Sequence, residues 1–185
     1  MSDGLAAPLR EIKKLLEAAE IPYMIVGSFA STVHGEPRTT QDLDIVIDPL
    51  PSALDYFLAH LDMDSFYVDP DTARDALRRR TMFNVIDMRS AWKVDLVMRK
   101  DRPFSREELA RRSEQEILGV LVPIASAEDT IIAKLEWAKQ GSSERQIRDV
   151  IGILRVRGED IDRAYILRWV EALGLEEQWE GACAR

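Results

Sequence analysis

Two aspartates, Asp42 and Asp44, stand two residues apart inside the apolar run "DLDIVI" (42–47). In a strand, alternate side chains share a face, so both carboxylates point one way while Leu43, Ile45 and Ile47 point the other, toward a core. The rise per residue puts the two acids about 6.5–7 Å apart, close enough for their oxygens to converge on ions between them. Like charges held this way repel unless a cation neutralises them. Hard dications accept such oxygen ligands, and Mg²⁺ commonly combines one or two carboxylates with substrate phosphates. Asp48 has the same parity but lies about 13 Å beyond Asp44, and it reads as a turn residue. A third carboxylate must come from another strand. Asp95, enclosed by Val94, Leu96 and Val97 in "KVDLVM", is the first choice; Asp87, at the end of "NVIDM", is the second.

Upstream, the short apolar run "YMIV" (23–26) ends in Gly27 and Ser28. A strand that turns there into a short helix over "FASTVH", capped by Ser28, exposes backbone N–H groups and a hydroxyl. Such helix N-termini hold phosphate oxygens, and glycine lets a phosphate come close to the backbone. Phosphate on one side and carboxylates on the other make a site for a metal-bound nucleoside triphosphate. Arg38, in a loop stiffened by Pro37, offers a fixed cation for the leaving pyrophosphate, or alternatively a pair for Glu36 or Asp42.

The elements that must position these groups follow from hydrophobic spacing. Leu9, Ile12, Leu15, Leu16 and Ala19 predict an amphipathic helix with Pro8 near its first turn. Residues 52–61 predict a second helix. "MFNVIDM" (82–88) and "KVDLVM" (93–98) predict a hairpin turning at "RSAW". A short helix around 105–111 and a strand pair over 114–124 follow. From Ser126 the pattern is helical: "SAEDTIIAKLEWAKQ", "SERQIRDVIGILRVR" and "IDRAYILRWVEALGL". The fold class expected is α+β, a small mixed sheet flanked by helices over 1–125, with a helical region over 126–185 packed on it.

"VGSFA", "RTTQDLDIVID" and "VDLVM" together resemble the nucleotidyltransferase superfamily of polymerase-β-like fold. The resemblance implies that Gly27 and Ser28 hold the triphosphate with Arg38 and Thr40. It implies further that Asp42 and Asp44 bind Mg²⁺ or Mn²⁺, and that Asp95 completes the metal set or acts as the base. The "R-T-T-x-D-x-D" form is similar to minimal transferases and AbiE-type toxins, which carry a lysine and then an aspartate on later helices. Lys134 and Asp149 match those positions and take nucleotide-binding and catalytic roles by that likeness. Read from spacing alone, Lys134 would snorkel from an apolar face and Asp149 would pair with Arg145 at i,i+4.

Composition narrows the rest. The formal charge is 25 − 33 = −8, which gives no prior for non-specific nucleic-acid binding. "RRR" (78–80) with Arg111 and Arg112 could form a local basic patch, or lie on solvated faces. A second basic set, Lys134, Lys139, Arg145 and Arg148, would serve a macromolecular acceptor. The single cysteine, Cys183, permits no intrachain disulfide. No secretory signal or membrane span is read, so the expected compartment is the cytoplasm. His34 and His60 read as helix-end or solvent-facing residues, although His34 stands near the phosphate loop. Trp92, Trp137, Trp169 and Trp179 read as packing residues. There is no zinc cluster, P-loop motif or nucleophile elbow.

The function expected is therefore metal-dependent transfer of a nucleoside monophosphate from an NTP to an acceptor: an RNA end, a protein or a small molecule such as an antibiotic. The toxin-like resemblance adds a possible antitoxin partner. The rivals are an idle nucleotide- or partner-binding module and a two-metal phosphohydrolase.

Overall fold

The computed structural model describes residues 3–40, 42–141 and 143–184. They fall into two units: Met1–Ile25 with Thr40–Ile124, and Val26–Thr39 with Ala125–Arg185. The class is α+β. The Gly-Ser helix and its loop, residues 26–39, group with the C-terminal helices. The cause is packing, since that helix contacts two of them.

The first unit holds a seven-stranded mixed sheet: β1 (Tyr23–Ile25), β2 (Asp42–Ile47), β3 (Phe66–Tyr67), β4 (Met82–Asp87), β5 (Lys93–Met98), β6 (Ser113–Ile117) and β7 (Val120–Ile124). Their order across the sheet is β3-β4-β5-β2-β1-β7-β6. β4 and β5 form the expected antiparallel hairpin, and β2 lies parallel to β5. Leu43, Ile45, Ile47, Phe83, Val85, Val94, Leu96 and Met98 are buried on one face. Each such side chain contributes roughly 1.5–3 kcal/mol when buried. A slip of one residue would turn the apolar row outward and the acids into the core, so the register is fixed by this face.

Four helices belong to the same unit: α1 (Asp3–Ala18), α3 (Pro51–His60), α4 (Pro70–Arg79) and α5 (Pro103–Ala110). α1 buries Leu9, Ile12 and Leu16, as their spacing requires, but it starts earlier than expected, so Pro8 lies inside it. α4 was not legible from periodicity. It is set by its ends: Pro70 at the first turn, and an Asp69 carboxylate accepting from the N–H groups of Asp71 and Thr72.

The second unit holds α2 (Gly27–His34), α6 (Ala127–Gly141), α7 (Glu144–Arg157), α8 (Arg163–Leu173) and α9 (Glu176–Cys183). Ser126 caps the start of α6, its hydroxyl accepting from the Asp129 N–H and donating to the Asp129 carboxylate. α2 packs on α6 and α7. No helix among the described residues is long and apolar enough to cross a membrane.

Candidate functional site

The parallel pairing of β2 with β5 sets Asp44 opposite Asp95 and Asp42 opposite Lys93. The antiparallel pairing of β4 with β5 sets Asn84 opposite Asp95. One row across three strands therefore reads Asn84, Asp95, Asp44, with Asp42 and Lys93 one step along the same face. Neighbouring strands are about 4.8 Å apart, so the carboxylates of Asp44 and Asp95 are within reach of one ion. Asp42 is exposed, Asp44 half-buried and Asp95 buried.

Asp95 is held on both oxygens. Asn84 donates to its Oδ1, and the Lys93 ammonium lies 3.0 Å from its Oδ2. The same ammonium lies 3.6 Å from Asp42 Oδ1. The hydrogen bond to Asp95, with the charges of Asp95 and Asp42 behind it, holds Lys93 above its usual pKa. Asn84 and Lys93 were missed in the sequence. Lys93 shares the parity of Asp95, but the hairpin register was needed to reveal Asn84.

Asp87, the second choice for the third acid, is on the opposite face, 2% exposed. It holds the β4–β5 turn, accepting from Arg89 Nε at 2.8 Å and from the Ser90 hydroxyl. Burial pushes its carboxyl pKa up, but those hydrogen bonds and the Arg89 charge prevail and leave it below the usual value. Asp48 is an ion-pair anchor at the end of β2, taking Arg80 Nη1 at 2.9 Å and Arg99 Nε at 2.8 Å. The Thr40 hydroxyl is spent on the backbone of Asp42, donating to its carbonyl at 3.2 Å and facing its N–H at 3.4 Å. It shapes the entry to β2.

Among the described residues no three His, Cys, Asp or Glu side chains are gathered as a metal cluster. The donor chemistry nonetheless fits a hard dication: three aspartates on one sheet face, two of them in register. What stands among them is the Lys93 ammonium.

The helical unit carries the second cluster. Gly27 opens α2 with φ +65, a conformation that favours glycine. The residue capping α2 is Val26, without a side-chain bond, so the expected Ser28 cap is not formed. Ser28 lies inside the first turn, and its hydroxyl accepts from Arg38 Nη2. Arg38 Nε lies 3.1 Å from Asp149 Oδ1, and its Nη2 donates to Asp149 Oδ2 at 3.3 Å. Lys134 Nζ lies 2.8 Å from the same Oδ2. Two cations thus converge on one carboxylate beside the N-terminus of α2. The plain readings from spacing fail here: Lys134 is buried rather than snorkelling, and Asp149 pairs with Arg38 and Lys134 rather than with Arg145. Arg38 pairs with Asp149, while Glu36 lies 3.7 Å from Arg155.

The loop that presents Arg38 is fixed at two points. A Cβ on Gly35 would stand 2.8 Å from the Ile153 backbone nitrogen, so only glycine lets the loop lie on α7. His34 ends α2, in keeping with the helix-end reading, but is buried rather than solvent-facing. Its Nε2–H donates to the Ala125 carbonyl at 2.7 Å, and its Nδ1 accepts from Arg157 Nη2 at 2.8 Å. That arrangement is a neutral imidazole with a packing role.

The arginines of the 78–80 run are each paired with an acid. Arg78 and Arg79 hold Asp75, and Arg80 holds Asp48. Lys139 caps the end of α8 through the Gly174 carbonyl at 2.7 Å. Trp179 packs as expected, whereas Trp137 is 62% exposed. An open cavity of about 760 Å³ lies elsewhere in this unit, lined by Lys139, Glu144, Ile147, Glu176, Glu177 and Gln178 among others; none of the residues expected to hold metal or nucleotide lines it, and of the expected basic set only Lys139 does.

No protein-family model and no curated protein matches the sequence. Solved structures do resemble the chain. The solution structure of the antibiotic-resistance factor ANT(2'')-Ia has a TM-score of 0.60 and 14% identity over 98% of this chain and 99% of that one. Its crystal complex with adenylyl-2''-tobramycin has a TM-score of 0.57 and 14% identity, covering 94% and 97%. An antigenic nucleotidyltransferase-like protein from Paracoccidioides brasiliensis has a TM-score of 0.59 and 17% identity, covering 97% and 92%. The lincosamide antibiotic adenylyltransferase LnuA, bound to lincomycin, has a TM-score of 0.52 and 13% identity, covering 80% and 95%. The fold is that of the nucleotidyltransferases.

Proposed function

We propose that this chain moves a nucleoside monophosphate from an NTP to an acceptor hydroxyl in a metal-dependent reaction. The observation that carries the reading is the register setting Asp95 opposite Asp44, with Asp42 on the same open face. Asp42 and Asp44 would hold Mg²⁺ or Mn²⁺, with Asp95 completing the set or serving as the base. The dication supplies charge neutralisation for the triphosphate.

The remaining work belongs to the chain. The Gly27 backbone and the Ser28 hydroxyl offer hydrogen bonds to phosphate oxygens, and Arg38 and Lys134 add charge-assisted ones. Asp149, buried between the two cations, is a positioning residue that holds their heads in place. Asp95 as base accepts the proton of the acceptor hydroxyl as that oxygen attacks the α-phosphorus. The bond from the α-phosphorus to the bridging oxygen breaks, and pyrophosphate leaves with the electron pair.

A small-molecule hydroxyl is the acceptor we favour. Three of the four similar structures are named for antibiotics or resistance to them, and a chain of net charge −8 whose 78–80 arginine run is paired with acids has little to offer an RNA backbone. The test is incubation with Mn²⁺ or Mg²⁺ and each labelled NTP, with tobramycin, lincomycin, total RNA or lysate protein. Label should pass to a small molecule and be lost in Asp44→Asn. Label on RNA or protein would restore the toxin-like acceptor. Nucleotide binding without transfer, indifferent to Asp44→Asn, leaves an idle module, and phosphate release alone indicates a hydrolase.

A further inference from the structure

Lys93 stands where a metal-dependent reaction needs a cation. It faces Asp42 across the parallel ladder, and its ammonium bridges Asp42 Oδ1 at 3.6 Å and Asp95 Oδ2 at 3.0 Å. Those two oxygens belong to different strands, and Lys93 is what ties them together. A lysine head is a compact point charge on a flexible four-carbon stem, and this one is 39% exposed, so it has room to swing away. An ammonium and a dication cannot share the same oxygens at these distances without strong repulsion.

We propose that Lys93 is a resident counter-cation: it holds Asp42 and Asp95 in place until a divalent ion arrives, competes with that ion for the same oxygens, and thereby sets the metal affinity. The inference rests on the metal-binding half of the function proposed above and on no step of the transfer. Asn84 gives the arrangement its asymmetry. It keeps Asp95 Oδ1 fixed whichever cation is bound, so only the Oδ2 side changes partner.

The test is Mn²⁺ binding without nucleotide, read from the electron paramagnetic resonance signal of the free ion. Lys93→Met keeps the stem and removes the charge, and Lys93→Gln serves as a second neutral variant. Lys93→Arg keeps the charge. Arg80→Gln removes a cation of the same unit that pairs with Asp48 instead. Each chain is first checked for a cooperative thermal transition. Both neutral Lys93 variants are expected to bind Mn²⁺ roughly tenfold tighter than the natural chain, a value discounted for solvent exposure. Lys93→Arg should bind no tighter than the natural chain, and Arg80→Gln should match it. Equal or weaker binding by Lys93→Met and Lys93→Gln overturns the inference, as does equal tightening by Arg80→Gln, which would mark a general field effect. If the natural chain and Lys93→Met bind alike while Asp44→Asn does not bind, the metal reading stands and the Lys93 inference alone falls. If none binds at millimolar Mn²⁺, both fall.

Discussion

The ammonium of Lys134 on α6 and the carboxylate of Asp149 on α7 are 2.8 Å apart, each side chain only 6% exposed. Arg38 reaches the same carboxylate from the α2 loop, so Asp149 separates two cations in this cluster. Asp149→Ala leaves those cations facing each other and is expected to cost about 3 kcal/mol or more in denaturant unfolding. Replacing Lys134 and Asp149 together, as Lys134→Met with Asp149→Leu, should recover only the Lys134 share of that loss, because apolar packing commonly substitutes for a buried ion pair while Arg38 still lacks its carboxylate. Nucleotidyl transfer should stay lost in the double variant. Restored stability with restored transfer would remove Lys134 from the phosphate-binding set.

The two acids of the β4–β5 hairpin are expected to behave oppositely. Asp95, buried as well, faces the side of the sheet that carries Asp42 and Asp44, and Asp87 faces the other, tied to Arg89 and Ser90. Asp95→Asn should lower transfer by about three orders of magnitude, the scale of losing a reacting group, with little change in unfolding. Asp87→Ala should cost about 2 kcal/mol, since it strands the donors of the turn, while leaving the chemistry of folded protein intact. Kinetics and urea melts on the two variants check both halves, and a reversed pattern would exchange their roles.

What the sequence showed and hid follows one rule, the range over which a signal acts. The parity of Asp42 and Asp44 against Leu43, Ile45 and Ile47 is a local, period-two signal, and it placed the acids on the correct face. The serine cap at Ser126 is equally local. α4 buries only Ala73 and Ala76, and α9 only Trp179 and Ala182, so neither writes a hydrophobic stripe strong enough to read. Asn84 became visible only once strand register was known, and the pairing of Lys93 with Asp42 likewise needed the register, although its parity with Asp95 is local. The contact of Arg38 with Asp149 spans 111 residues, and no spacing rule reaches that far. That is why Asp149 resembled a surface i,i+4 partner of Arg145.

Gly35 tests how closely the Arg38 loop must lie against α7. Its absent Cβ would meet the backbone of Gly152 and Ile153 at 2.9 and 2.8 Å, and backbone cannot rotate aside. Gly35→Ala is expected to cost about 1–3 kcal/mol, the usual range for overpacking, and to weaken NTP binding by lifting Arg38. The contrast is Gly141→Ala, where nothing lies within 4 Å and no cost is expected. Unfolding midpoints and nucleotide titrations measure both. Unchanged nucleotide affinity in a destabilised Gly35→Ala would detach the loop from binding.

His34 makes stability depend on pH with a definite sign. Burial lowers its pKa, and the Arg157 charge lowers it further, against the pull of the Ala125 carbonyl. The folded value therefore lies below the ordinary value of about 6.5, and below it the unfolded chain binds the proton more readily than the folded one. Its contribution is fully present above about pH 6.5 and is lost as pH falls from there toward the folded value, by at most about 1.4 kcal/mol per pH unit. Protonation also gives Nδ1 a hydrogen where it now accepts from Arg157, setting two donors against each other. Urea midpoints measured from pH 7.5 down to pH 5 should fall in the natural chain. In His34→Gln they should start lower and fall less over the same interval. An equal fall in both chains would place the acid sensitivity elsewhere and leave His34 a packing residue without a pH role.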